Sequence, residues 1–358
     1  MTLFDSPAFE RHEAVHAFYD EASGLKCFIA VHSTARGPSS GGCRMWPYPT
    51  DDAALEDALK LSRAMSYKCA VAELDLGGGK AVIIGDSKTQ KTPQLFEAFG
   101  RAVEAVGGKY WAAEDVGLTP ADLAHARKHT RYVAGLDGHP AASGDPSPVT
   151  ADGVFRGIEL AVRRAYGSGL DGVTVAIQGV GHVGGFLADR LKTAGARLVI
   201  TDVNETVLRQ VAERTRVEVV RADAIFDAQA QVFAPCALGG VITLETLGRL
   251  KGRVIAGGAN NPLASAEVGR ALFEKGLIYA PDYVINGGGI INVAAEIRAL
   301  DKGEAYDPDW VAMKLDRLMT TLGAILDRSK AEARPTHEIA LEIAKARIAR
   351  ASTGEARQ

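Results

Sequence analysis

Two lysines twelve residues apart, Lys68 and Lys80, bracket the glycine run Gly77-Gly78-Gly79. Lys80 is followed by the apolar stretch Ala81 to Ile84, so its ammonium is directed into a close-packed site rather than into water. Burial and a second nearby cation both disfavour the charged form, which moves its pKa toward a range useful for proton transfer. Lys68 also fits a plainer role, as a cation complementing the dipole at a helix C-terminus. Asp115, within Ala113-Glu114-Asp115-Val116-Gly117, is the carboxylate that could join them, although an Asp ahead of a glycine turn is ordinarily structural.

A second chemical signature begins about a hundred residues later. Gly179-Val180-Gly181-His182-Val183-Gly184 follows the β-branched run Val173 to Ile177 and opens a helical pattern through Leu187 to Leu191. This GxGxxG spacing suits a dinucleotide: the backbone turns tightly, approaches a pyrophosphate, and offers it a helix N-terminus. Asp202 closes the next strand, where a carboxylate can accept hydrogen bonds from a ribose and repel a 2′-phosphate, which favours NAD over NADP. The plainer alternative is a glycine-rich turn with Asp202 as a cap. Thr150 and Asn260-Asn261-Pro262 stand where a cleft between domains would open. They could hold a carboxamide or a carboxylate, or serve as caps and turns.

The elements that must position these residues are legible in outline. Leu25 to Val31 reads as a strand, and Gly37 to Gly42 as a loop. Thr50-Asp51-Asp52 caps a helix that ends near Lys68, Val82 to Ile84 is a buried strand, and Thr92 to Val106 is a helix. Asp137 to Pro148 is rich in Gly, Pro, Ser and Asp, the chemistry of a linker. Beyond it, short runs at 173–177, 198–201, 217–220, 232–234, 254–256 and 278–280 alternate with amphipathic helices, the pattern of a doubly wound parallel sheet. His337 to Ala351 is a helix expected to pack back on the first domain.

The expected fold class is therefore α/β with two domains. The first is a substrate and oligomerisation domain at 1–136, joined by a C-terminal helix at 331–358. The second is a Rossmann-like NAD-binding domain at 137–330, with a deep cleft between the two. A length of 358 residues suits two cores.

Acidic and basic side chains number 44 and 41, for a net charge of −3, so nothing calls for nucleic acid or an anionic membrane as partner. The N-terminus carries no secretory pattern and no apolar stretch reaches about 18 residues, which points to the cytoplasm. Cys27, Cys43, Cys69 and Cys236 lack the spacing of redox or metal sites and read as reduced and mostly buried. His12-Glu13-Ala14-Val15-His16 matches the HExxH zinc pattern, but zinc would require a helix and a third ligand that is not legible, so no metal is expected. His125 and His129 read as a solvated helical face.

Taken in order, GPSSGGCRM (37–45), YKCA (67–70), LGGGKAVIIGD (76–86), AEDVG (113–117), GVGHVG (179–184), APCALGG (234–240), AGGANNPL (256–263) and APDYVINGGGIINV (280–293) resemble the Glu/Leu/Phe/Val amino-acid dehydrogenases. The resemblance runs from about residue 10 to 350 and absorbs the HEAVH segment as part of the first domain. It implies an enzyme that interconverts an L-amino acid and a 2-oxo acid with ammonium, using NAD, and that assembles as a homo-oligomer. It implies that Lys68, aided by Gly41, Gly42 and Asn261, pairs with the substrate carboxylate. Lys80 would activate water and Asp115 would move protons at the substrate nitrogen. Cofactor contacts would come from residues 179–184, Asp202, Val203, Thr150, Cys236, Ala237 and Asn260.

Glutamate enzymes of the family carry a lysine where Ser40 stands, so a nonpolar substrate is expected. Its pocket would be walled by Ser40, Ala113, Ile290 and Val293. AEDVG and SPVTA (147–151) resemble the leucine type, and YKCAVAELDLGGGKAVIIGD the phenylalanine type; the leucine type is favoured. Two other classes remain open, a non-catalytic NAD(H)-binding sensor and a 2-hydroxy-acid dehydrogenase, the latter lacking a legible catalytic His or Arg pair.

Overall fold

The computed structural model describes residues 3–353. Two compact units divide the chain, Met1–Gly144 with Ile290–Val311 and the residues from Ala344 onward forming the first, and Asp145–Gly289 with Ala312–Ile343 the second. The first division lies inside the Gly- and Pro-rich segment, eight residues beyond 136.

The first unit is built on a mixed five-stranded sheet. Its elements are β1 (Ala14–Asp20), β2 (Leu25–Ser33), β3 (Ser39–Trp46), α1 (Asp51–Val71), β4 (Gly77–Ile84), α2 (Pro93–Ala105), β5 (Tyr110–Glu114) and α3 (Pro120–Arg127), with strand order β1-β2-β4-β3-β5. β1 and β2 pair antiparallel, as do β2 and β4, whereas β4, β3 and β5 run parallel. Strand alternation divides the side chains between two cores. Cys27, Ile29, Cys43, Ala81 and Ile83 pack with Leu95, Phe96, Phe99 and Val103 of α2. Ala30 and Val82 pack on the other face with Ala54, Ala58 and Leu59 of α1.

Two sequence expectations change here. Gly37 to Gly42 is not all loop, because Ser39–Trp46 is a strand, and β4 begins at Gly77 rather than Val82. Both segments are strands without bulk because backbone approaches backbone: a Cβ on Gly41 would collide with the Gly79 carbonyl, and one on Gly78 with the Ser66 amide of α1. Val15 and His16 of the HEAVH pattern lie on a strand, with His12 before it, so the pattern does not form the helix that zinc would need. Among the described residues no group of His, Cys, Asp and Glu could hold a metal.

The second unit contains α4 (Ser147–Tyr166), β6 (Thr174–Gln178), α5 (His182–Thr193), β7 (Arg197–Thr201), α6 (Glu205–Thr215), β8 (Glu218–Val219), β9 (Val232–Pro235), α7 (Leu244–Arg249), β10 (Val254–Ile255), α8 (Ala266–Glu274), β11 (Ile278–Tyr279) and α9 (Asp282–Ile285). All six strands are parallel, in the order β11-β10-β9-β6-β7-β8. Numbered from the first strand of the unit this is 3-2-1-4-5-6, a doubly wound sheet that reverses direction between β6 and β9.

Three helices, α10 (Gly288–Lys302), α11 (Pro308–Glu332) and α12 (Thr336–Ser352), each cross the division. Residues 290–311, expected in the nucleotide domain, group with the first unit, and Glu296 is one of the residues that tie them there. Its carboxylate accepts from the backbone N–H groups of Gly135, Leu136 and Ser143 and from the Ser143 hydroxyl. At the end of α12, Arg347 donates to the carbonyls of Ala70 and Val71 and pairs with Glu73, fixing the end of α1 just past Lys68. Residues 354–358 of the expected terminal helix lie outside the described residues.

Candidate active site

Alternation along β3 and β4 places Arg44 and Lys80 on the face covered by α1. Gly78 faces α1 and Lys80, two residues on, faces the same way; Arg44 of β3 reaches α1 through a 3.0 Å ion pair with Asp57. Asp115 follows the end of β5, and its approach depends on Gly42, where a Cβ would stand 2.7 Å from the Asp115 Cβ.

Lys80 is 5% exposed and its Nζ donates directly to Asp115 Oδ2. The same oxygen lies 3.7 Å from Arg44 Nη2, while Oδ1 accepts from the Val116 N–H at 2.7 Å. Burial above all, and then the Arg44 charge, push the Lys80 ammonium down to about 7, with Lys68 acting in the same direction and Cys43 and Asp57 opposing. The result is an amine that exchanges protons near neutrality beside a carboxylate that can accept or return them. Lys68 lies in the last turn of α1. Gly41, Gly42 and Ser40 lie on β3, Ala113 on β5, and Ile290 and Val293 on α10, all in the first unit. Ser40 is fully buried.

In the second unit the glycine turn sits where the sheet reverses. Gly179 has φ +93°, a conformation that favours glycine, and a Cβ there would stand 2.7 Å from Ala237 Cβ, just beyond β9. The Cys236 N–H donates to the Gln178 carbonyl at 2.7 Å, so residues 236–237 and 179–181 line one crevice at the carboxyl ends of β6 and β9. A dinucleotide fits this turn. Gly181 caps α5 with no side-chain acceptor and a Cβ there would meet nothing within 4 Å, leaving the helix N-terminus open to a pyrophosphate. Asp202 Oδ2 accepts from Val180 N–H and Oδ1 from Asn204 N–H, both at 2.8 Å. His182 is exposed, Val183 is half-buried and Val203 is 90% exposed.

Thr150 is inside α4, not in a linker, and its hydroxyl donates to the Pro146 carbonyl. Asn260 Oδ1 accepts from Asn286 Nδ2 at 2.8 Å, and Asn261, at φ +48°, donates its N–H to Asp282.

Residues 10–132 match the Glu/Leu/Phe/Val dehydrogenase dimerisation domain and residues 200–355 match the Glutamate/Leucine/Phenylalanine/Valine dehydrogenase domain. The leucine dehydrogenase of Thermoactinomyces intermedius is 42% identical over 349 residues, 97% of this chain and 94% of that protein. The chain belongs to the Glu/Leu/Phe/Val dehydrogenase family. Dehydrogenases of this family are NAD(P)-dependent enzymes. The phenylalanine dehydrogenase of Bacillus thermotolerans is another similar member, 46% identical over 84% of this chain and 80% of its own. The crystal structure of L-tryptophan dehydrogenase from Nostoc punctiforme superposes with a TM-score of 0.83 at 36% identity, covering 95% of this chain and 97% of that one. Aliphatic and aromatic substrates are thus both represented among the similar dehydrogenases.

Arg44, with its partners Asp57 and Tyr48, stands beside Lys80 and Asp115 and was not singled out from the sequence. The available signal was period-two alternation, which places Arg44 on the same face as Gly42 once GGCRM is read as strand.

Proposed function

We propose that this protein catalyses the reversible NAD-linked oxidative deamination of a nonpolar L-amino acid, with leucine and its branched-chain relatives favoured. The observation that carries the reading is the buried Lys80 of β4 paired with Asp115, which follows β5, across the glycine-bared β3 between them. In the forward direction an L-amino acid, NAD+ and water become a 2-oxo acid, ammonium, NADH and a proton. The dinucleotide, when bound at the glycine turn, supplies the acceptor for the hydride leaving the substrate Cα.

Lys68 holds the substrate carboxylate, with the Gly41 and Gly42 backbone beside it. Asp115 takes a proton from the substrate ammonium, leaving the free amine from which hydride loss gives an iminium ion. Lys80, whose neutral form burial and then the Arg44 charge make available near pH 7, accepts a proton from water as that water attacks the iminium carbon. Asp115 returns a proton to the nitrogen, the C–N bond breaks, and the hydroxyl proton passes to the departing ammonia, so that ammonium leaves as the carbonyl forms. Running backward, the protonated Lys80 polarises the oxo-acid carbonyl for attack by ammonia.

A nonpolar side chain is supported by Ser40, fully buried where a distal carboxylate would need a cation. An aromatic substrate is the second reading, because serine leaves more room at that wall than leucine would. Asp202 at the end of β7 supports NAD over NADP. The same reading includes a homo-oligomer formed through the first unit and a cytoplasmic location, consistent with four unpaired cysteines. No helix among the described residues is long and apolar enough to cross a membrane.

The test is NADH oxidation with ammonium and a panel of 4-methyl-2-oxopentanoate, 3-methyl-2-oxobutanoate, phenylpyruvate and 2-oxoglutarate. Fast turnover on the branched acids supports the leucine type, and a preference for phenylpyruvate moves the reading to the aromatic type. NADH binding without turnover on any of them defeats the catalytic reading in favour of a sensor.

A further inference from the structure

We propose that Arg44 is a positioning residue for the Lys80–Asp115 pair: a guanidinium pinned by Asp57 and Tyr48 that fixes the Asp115 oxygen on which Lys80 donates. The inference rests on the deamination reading above and adds a residue to its machinery.

The geometry is a chain of five side chains, from β3, α1 and β4 and from the segments just past β3 and β5. Tyr48, just past β3, donates to Asp57 Oδ2 at 2.5 Å, and Arg44 Nη1 pairs with that same oxygen at 3.0 Å. Asp57 is therefore held from two directions on α1. The other arm of the guanidinium, Nη2, lies 3.7 Å from Asp115 Oδ2, the oxygen that also receives Lys80 Nζ. One carboxylate oxygen thus faces two cations. Only one of these, Lys80, can change its charge near neutrality, because a guanidinium keeps its proton.

Two consequences follow for the pair. Arg44 supplies a constant positive charge that competes with a protonated Lys80 for Asp115, and it ranks directly after burial among the causes that lower the lysine. It also restricts the carboxylate, whose second oxygen is already committed to the Val116 N–H. The charged groups around Lys80 are Arg44 from β3, Asp57 and Lys68 from α1, and Asp115 from the turn after β5, and the buried thiol of Cys43 lies on the opposite face of β3. Arg44 and Lys68 oppose protonation, whereas Asp57, Cys43 and the direct pairing with Asp115 favour it. A plainer role for Arg44 would be to tie β3 to α1 through Asp57, with no influence on the lysine.

The two roles separate in a pH profile. The full-length wild type, Arg44→Met and Arg44→Lys would be compared by kcat/KM for amino-acid oxidation across pH, and by NMR titration of ¹³Cε-labelled lysine, with Lys80 assigned from Lys80→Arg. R44M is expected to move both the acid limb and the Lys80 midpoint upward by roughly one pH unit, and R44K to restore most of that shift.

Unmoved limbs and midpoints in folded R44M, with turnover reduced by one factor at every pH, would overturn the proposal. So would R44K shifting as far as R44M. Should R44M fail to fold, Asp57→Asn gives a prediction of opposite sign: loss of that carboxylate lowers the Lys80 midpoint, and an upward or absent shift counts against the network. If the wild type lacks ammonium-dependent turnover, the deamination reading fails, while the NMR midpoints still decide whether Arg44 governs Lys80.

Discussion

Asp202 Oδ2 accepts a hydrogen bond from the Val180 N–H at 2.8 Å, tying the end of β7 to the centre of the glycine turn. The carboxylate therefore keeps a defined position beside the crevice where an adenosine ribose would lie. Replacing Asp202 with Ser or Asn removes the charge that repels a 2′-phosphate. The expected outcome is a drop in the ratio of NADPH KM to NADH KM by about tenfold, equivalent to about 1.4 kcal/mol. Steady-state kinetics with both cofactors checks it; an unchanged ratio would mean that Asp202 serves only as a brace for the turn.

Lys80→Ala removes the amine and leaves the glycine turn of the second unit untouched. Turnover should fall by about 10² to 10⁴, the usual worth of a positioned acid–base group, with NADH affinity retained. Fluorescence titration of NADH beside the rate assay separates the two effects. A variant that keeps more than a tenth of wild-type turnover would show that Lys80 has no chemical part.

Gly78→Ala tests the close approach of β4 and α1. The added methyl would collide with the Ser66 amide and hydroxyl, and that contact is backbone on a helix rather than the end of a flexible side chain. Overpacking of this kind costs about 1–3 kcal/mol. Differential scanning calorimetry should show a lower Tm, and because α1 carries Lys68, the KM for amino acid should rise with it. Wild-type values of both would refute the packing argument.

His12 and His32 form a buried pair behind α1. Their rings are 4.9 Å apart, His32 Nδ1 is 2.7 Å from Ser66 Oγ, and His12 Nε2 is 3.0 Å from the Leu59 carbonyl. Burial, followed by the neighbouring His12, pushes His32 down to about 4. The folded state thus favours the neutral ring while the unfolded chain protonates near 6.5. The contribution to stability is complete above pH 6.5 and is lost as pH falls from 6.5 toward 4, at up to about 1.4 kcal/mol per unit. Urea unfolding at pH 7.5 and pH 5 should show this loss, and His32→Gln should reduce it. The same pH dependence in the variant would place the acid sensitivity elsewhere.

Much of the molecule was determined by local sequence. The alternation of β-branched runs with helices after residue 170 specified the parallel sheet, since the central strands β6, β9 and β10 are buried under the helices that connect them. The glycine spacing at 179–184 marked the nucleotide turn, because only glycine fits a backbone at φ +93° pressed against Ala237. Thr50 and Thr92 marked helix starts through their side-chain oxygens, which accept from Ala53 and Leu95.

What tertiary structure alone decided depends on contacts distant along the chain. Gly37 to Gly42 looks like a loop by composition, and only the neighbouring β4 and β5 strands turn Ser39–Trp46 into a parallel strand. That pairing brings Arg44 beside Asp115, 71 positions later, and gives Lys80 a charge partner that no local pattern encodes. Likewise, residues 290–311 join the first unit through contacts distant along the chain, among them Glu296 meeting backbone amides about 150 to 160 positions away and Asn292 donating to the Ser143 carbonyl. Propensity and periodicity act over a few residues, whereas the pKa of a buried lysine is a sum over whatever charges the finished fold places around it.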